Sequence, residues 1–186
     1  MTRRFRERAV RLGHSVTLVT LVLWAGCGEF ENLPSAPVTL SKSTFEFALL
    51  GDNPYPPANV PRFEELIRDV NAVDKLSWVI HVGDILGPTT VGCSGKVLQA
   101  RFDLYQKFDP PLVYTPGDND WFDCQHPDAG AYDPYERLAV LRAMFFPNPE
   151  LTTGGQQMPV KTQSRDPEFE EFVENVMWTK GGVVFS

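Results

Sequence analysis

Three aspartates stand in the same local setting: each follows a glycine, and each glycine ends a short apolar run. Phe45–Leu50 leads into Gly51-Asp52, Trp78–Val82 into Gly83-Asp84, and Leu112–Pro116 into Gly117-Asp118. These are the only Gly-Asp pairs in 186 residues, where composition would give about one by chance. A lone pair of this kind makes a turn or caps a helix. Three carboxylates brought to one place repel one another unless a cation lies among them. The chemistry on offer is therefore divalent-metal binding by Asp52, Asp84 and Asp118. Acid is concentrated around the third pair. From Phe108 to Glu136 there is no lysine or arginine, yet Asp109, Asp118, Asp120, Asp123, Asp128, Asp133 and Glu136 all fall there.

Short, nearly continuous apolar runs read as buried strands, and amphipathic segments separate them. Pro61–Lys75 has proline in its first turn and places Phe63, Leu66, Ile67, Val70 and Val73 on one stripe. Lys96–Phe108 is less regular. A third helix is expected from the capping-box-like Asp133-Pro134-Tyr135-Glu136, with Leu138, Leu141, Met144 and Phe145 on its apolar face. Asp166-Pro167-Glu168 opens a fourth segment carrying Phe169, Phe172 and Val173, and Val183-Val184-Phe185 is a last apolar run. Strand–helix alternation at about thirty residues per unit implies βαβ crossovers and a mostly parallel sheet with flanking helices. In such a sheet ligands bind beyond the carboxyl ends of the strands, which is the edge all three aspartates would share.

Composition bounds the function class. The chain is 42% hydrophobic with a mean hydropathy of −0.21, which excludes a disordered or polytopic membrane protein. The net charge is −7. Residues 1–11 carry five arginines and one glutamate, so the remainder holds 12 basic and 23 acidic residues, or −11. Such a body lacks the basic face that nucleic-acid binding requires. Arg3, Arg4, Arg6, Arg8 and Arg11, then the apolar Val16–Ala25, then Gly26-Cys27-Gly28 follow the layout of an export signal. Leu23-Trp24-Ala25-Gly26-Cys27 resembles a bacterial lipoprotein signal with Cys27 as the acylated residue, Trp24 being larger than usual for its slot. Residues 1–26 are thus expected to be a signal peptide and 27–44 a tether, giving a periplasmic or cell-surface protein on a membrane anchor. Export favours oxidation, so Cys93 and Cys124 are expected to pair and hold two loops of the same sheet edge together; two free buried thiols are the alternative. His81 reads as a buried strand histidine. His126 reads either as an ordinary loop residue or as a nitrogen ligand or acid.

Gly51-Asp52-Asn53-Pro54-Tyr55, Gly83-Asp84 and Gly117-Asp118-Asn119-Asp120-Trp121 resemble the calcineurin-like metallophosphoesterase superfamily, in a divergent bacterial branch, over residues 45–186. The resemblance implies an αββα sandwich of which this chain carries the N-terminal half, leaving the domain C-terminally incomplete and the Val183–Ser186 strand without one neighbour. It also implies two divalent ions, with Asp52 a ligand of the first, Asp84 the bridging carboxylate and Asp118 in the slot of an asparagine ligand. Asn119 occupies the place of the catalytic histidine, with His126 nearby as a substitute acid or ligand. Pro54 stands where the first motif has histidine and cannot bind metal, and an amide such as Asn119 does not titrate usefully. An oxygen-rich site of this kind favours Mn, Mg or Ca over Fe or Zn.

The implied activity is metal-dependent hydrolysis of a phosphate ester. A surface lipoprotein that keeps the scaffold without catalysis is one alternative. Another is an α/β sugar- or nucleotide-binding lipoprotein in which Tyr55, Tyr114, Trp121 and Tyr132 stack on the ligand.

Overall fold

The computed structural model describes residues 44–186, so the expected signal, Cys27 and nearly all of the tether lie outside the described residues. The chain is mixed α/β. A parallel three-stranded sheet is built from β1 (Glu46–Leu50), β2 (Leu76–His81) and β3 (Leu112–Tyr114), in that spatial order. α1 (Val60–Asn71) connects β1 to β2; α2 (Pro88–Val91) and α3 (Gly95–Tyr105) connect β2 to β3. α4 (Pro134–Phe145) follows the loop after β3. A second, antiparallel sheet is formed by β4 (Lys161–Thr162), β5 (Val176–Lys180) and β6 (Val183–Phe185). The sheet structure is thus half antiparallel, because Gly181 and Gly182, at φ 57° and 79°, turn β5 straight back into β6. Positive φ at both central residues is the geometry a two-residue hairpin needs.

The period-2 pattern of the parallel strands separates two apolar faces. Val79 and His81 on β2, with Leu112 and Tyr114 on β3, face the helices, where they meet Phe63 and Ile67 of α1, Leu98 and Tyr105 of α3, and Leu141 and Phe145 of α4. Each such fully buried side chain stabilises the fold by roughly 1.5–3 kcal/mol. On the opposite face Trp78, 1% exposed, stacks with Phe45 and Phe47 and meets Trp178 and Phe185 from the hairpin. The two sheets touch through this aromatic cluster. The outer edge of β3 is covered by Thr153, which exchanges backbone bonds with Leu112 at 2.8 and 3.0 Å.

Helix ends follow local chemistry. Ser94 caps α3 by accepting from the Val97 N–H, and Asp133 caps α4 by accepting from the Glu136 N–H at 2.8 Å. Glu136 does not return the bond and pairs with Arg137 instead, so the box is only half made. α1 stops at Asn71, which leaves Val73 beyond the stripe and 44% exposed. The segment opened by Asp166-Pro167 is a chain of turns closed by i to i+3 bonds such as Phe169 N–H to Asp166 and Phe172 N–H to Phe169. Four glutamates within 168–174 repel along a helix, whereas Arg142 holds Glu171 and Glu174 against α4 from the turn conformation.

Cys93 and Cys124 are at bonding distance, with Cα atoms 5.6 Å apart and a sequence separation of 31. Both are fully buried, and the Arg137 guanidinium donates to the Cys93 carbonyl at 3.1 Å beside them. Replacing both with serine should lower stability by roughly 3–4 kcal/mol through the freed loop, read as the shift in urea midpoint against wild type. Identical midpoints with and without reductant would contradict a covalent link.

Candidate functional site at the carboxyl edge of the parallel sheet

The three Gly-Asp pairs leave adjacent parallel strands at the same edge. Backbone bonds continue past the strand ends: the Val82 N–H donates to Leu50, the Asp52 N–H to Gly83, and the Thr115 N–H to His81. The glycines do different jobs. Gly83 has φ 88°, and a Cβ there would collide with the Gly117 backbone; a Cβ on Gly117 would collide with the Asp84 carboxylate. Those two loops can touch only because both positions lack side chains. Two of the aspartates themselves adopt left-handed backbone, Asp52 at φ 60° and Asp84 at φ 56°. Non-glycine residues held there cost of order 1–3 kcal/mol and concentrate at functional sites.

Tyr55 spans the rim. Its hydroxyl donates to Asp52 Oδ1 at 3.1 Å and accepts from Asn119 Nδ2 at 3.3 Å, linking the first loop to the third. The Asn119 backbone N–H lies 3.4 Å from Asp84 Oδ1 and 3.0 Å from Asp118 Oδ1. Partial burial pushes the Asp84 pKa up, and the charges of Asp118 and Asp52 push in the same direction, against the Asn119 and Tyr55 hydrogen bonds. Burial raises the Tyr55 pKa as well, assisted by its bond to Asp52 and by the charge of Asp84, so it stays a protonated donor. Asp52, Asp84 and Asp118 have no ion-pair partner among the described residues. They share a rim and feel one another's charge, yet no three His, Cys, Asp or Glu side chains among the described residues close into a ready-made metal cage.

The residue that sequence reasoning left without a role is Asp120. It is fully buried and accepts five hydrogen bonds: from the N–H groups of Asp84 (3.0 Å), Ile85 (2.7 Å), Leu86 (3.3 Å) and Gly117 (2.9 Å), and from the Tyr114 hydroxyl (2.7 Å). It binds the loop after β2 to the loop after β3. Burial raises its pKa to about 6 against the pull of those donors. Arg101, 4% exposed, does the matching work between the first two loops, donating to the carbonyls of Ile85 (3.0 Å) and Tyr55 (3.3 Å). Its guanidinium meets no carboxylate within ion-pair distance among the described residues.

The two histidines separate. His81 is buried under the rim, its Nδ1 accepting from the Gly83 N–H at 3.3 Å while Nε2 faces the Asn53 backbone without closing a hydrogen bond. Burial lowers its pKa to about 4. His126 is half exposed and lies 3.7 Å from Asp123 on its own loop; no contact joins it to Asp52, Asp84, Asp118 or Asn119. Asn119 is at the rim; His126 is not bonded to it.

Asp120→Ala would leave five donors aimed at nothing. It should cost about 3 kcal/mol or more, with Asp120→Asn intermediate, measured by urea denaturation at pH 8. The pH dependence follows from His81. Its folded pKa, about 4, is below the unfolded value near 6.5, so the folded state resists protonation and stability falls as pH drops through that window. Asp120, raised to about 6, tilts the opposite way between about pH 4 and 6. Comparison with His81→Gln isolates the histidine. The advantage of wild type over that variant should shrink by roughly 3 kcal/mol between pH 7 and pH 4; a constant difference would show that His81 does not titrate as described.

No protein-family profile, no curated protein and no solved structure matches the chain, so a functional reading has to stand on Asp52, Asp84, Asp118 and Asn119 and on what their arrangement can do.

Proposed function

We propose that the chain is a metal-dependent phosphoric ester hydrolase of the calcineurin-like type, exported and lipid-anchored through Cys27. The observation that carries this reading is the half-buried Asp84 carboxylate, flanked by the charges of Asp52 and Asp118 with no basic side chain to offset them. Such a group is stabilised by a cation. The donor set fits a hard ion: the carboxylates of Asp52, Asp84 and Asp118 favour Mn, Mg or Ca. Among the described residues no histidine reaches this rim, since His81 is sealed beneath it and His126 lies against Asp123.

A bound divalent ion would supply Lewis-acid polarisation of the phosphoryl group and a more acidic water. It would also supply the attraction for an anionic ester that this surface lacks, because Arg101 is committed to two carbonyls. The chain's own groups position. Tyr55 keeps its proton and donates to Asp52, and its oxygen holds the Asn119 amide group, whose residue meets Asp84 through its backbone N–H. Neither side chain supplies a titrating acid near neutral pH.

Mn or Mg should raise the melting temperature of the full chain and support hydrolysis of p-nitrophenyl phosphate or its diester. Asp84→Asn should abolish both effects. Metal-dependent stabilisation with no turnover on either ester would favour the non-catalytic scaffold. No response to metal in melting or turnover would remove the metal-centred reading altogether.

A further inference from the structure

Three aromatic rings form a corner next to the third aspartate. Trp121 directly follows Asp118-Asn119-Asp120. Its ring lies 5.7 Å from Phe122 at 75° and 6.2 Å from Tyr135 at 48°, centroid to centroid. Phe122 is 48% exposed and Tyr135 77% exposed. The other aromatics singled out in the sequence are spent elsewhere: Tyr114 is buried under the sheet, the Tyr132 face is covered by the Arg137 guanidinium at 4.4 Å, and the Tyr55 hydroxyl is fixed between Asp52 and Asn119. A cluster of exposed rings at the rim of a candidate site marks a contact surface.

Charge decides what that surface accepts. Asp118, Asp128 and Asp133, in the same stretch of chain, are exposed, and Asp123 lies 3.7 Å from the half-exposed His126. No lysine or arginine occurs from Phe108 to Glu136, and Arg137, next in sequence, is buried and engaged by Glu136, Tyr132 and the Cys93 carbonyl. An anionic group is repelled here. A neutral ring gains stacking alone, whereas an organic cation gains both the ring faces and the surrounding carboxylates.

We propose that the Trp121–Phe122–Tyr135 corner binds the quaternary ammonium group of a small, soluble zwitterionic phosphate ester, one in which a short alkyl link separates the ammonium from the phosphate. This rests on the phosphoesterase reading. The phosphate would sit at the aspartate rim and the ammonium on the rings, three residues further along the same loop. The acidic surface then selects for the cationic alcohol and discriminates against esters of acidic alcohols.

Tetramethylammonium chloride, titrated into the full chain at ionic strength held constant with sodium chloride, isolates the ammonium from the phosphate. Its methyl proton resonances should move upfield with saturation as ring faces enclose them. Tyr135→Ala should weaken the titration about two- to fivefold, Tyr135→Phe should leave it near wild type, and Trp121→Leu should remove most of it. With Mn present, phosphocholine should be hydrolysed with a higher kcat/KM than 3-phosphoglycerate, and Tyr135→Ala should narrow that ratio by raising KM for phosphocholine. A methyl shift no larger than in the sodium control, or equal behaviour of the Ala and Phe variants, would overturn the proposal. Binding to phosphatidylcholine vesicles without response to phosphocholine would also overturn it, in favour of a membrane surface. A normal ammonium titration with no hydrolysis of any ester would leave the cation site standing and bring down the phosphoesterase reading alone.

Discussion

The carboxylate of Asp120 is the point on which the rim depends. Five donors converge on it, four of them backbone N–H groups from two separate loops. Backbone donors that leave a parallel sheet at its carboxyl end have no next strand to bond, and buried donors must be satisfied. One buried anion satisfies those of Asp84, Ile85, Leu86 and Gly117 together, which fixes Asp84 in its left-handed conformation and draws Gly117 close enough that neither it nor Gly83 can carry a side chain. The cost is a desolvated charge, visible as the raised pKa of Asp120. Hydrogen bonds from five donors offset it, because a bond to a charged acceptor is stronger than one between neutral groups.

That carboxylate also explains how two aspartates two residues apart serve opposite purposes. Asp118–Asp120 is a 3-10 turn, and at three residues per turn successive side chains point about 120° apart. Asp118 therefore faces solvent while Asp120 faces the interior. A cation among Asp118, Asn119 and Asp120 is not needed to account for the acid in this segment, since one of its two carboxylates is already satisfied by hydrogen bonds. Asp84 is the less satisfied carboxylate: it has a long bond from the Asn119 N–H and the Tyr55 hydroxyl against burial and two other negative charges.

The parallel sheet, its three helices and the common edge of the Gly-Asp pairs were legible because they depend on local pattern: apolar runs of strand length, 3.6-residue stripes, and glycine after each strand. The part of Asp120 was not, since three of its five partners lie 34–36 residues away on the loop after β2 and acquire meaning only once β2 and β3 are neighbours. Arg101 hid for the same reason: a lone arginine on a weakly amphipathic helix reads as solvated, and only the approach of Tyr55 and Ile85 buries it. The antiparallel hairpin was half visible in Gly181-Gly182, yet its partner β5 carries the irregular Val176-Met177-Trp178-Thr179-Lys180, whose pairing comes from Trp178 packing on Trp78 and Phe185 rather than from alternation. The turns of 166–175 were obscured by an apolar spacing that resembles a helix but is overridden by clustered glutamates and their capture by Arg142.

Rigidity beneath the rim and charge above it have different physical sources. Below, His81, Tyr105 and Tyr114 pack ring against ring with centroids 5.0 to 6.4 Å apart, and none of them titrates readily from inside that stack. Above, Asp52, Asp84 and Asp118 have no basic partners among the described residues, so the edge of the sheet keeps a concentrated negative field. A surface built this way attracts cations before anions. An anionic ester can then approach only in the company of positive charge, bound beforehand or carried on the ester itself.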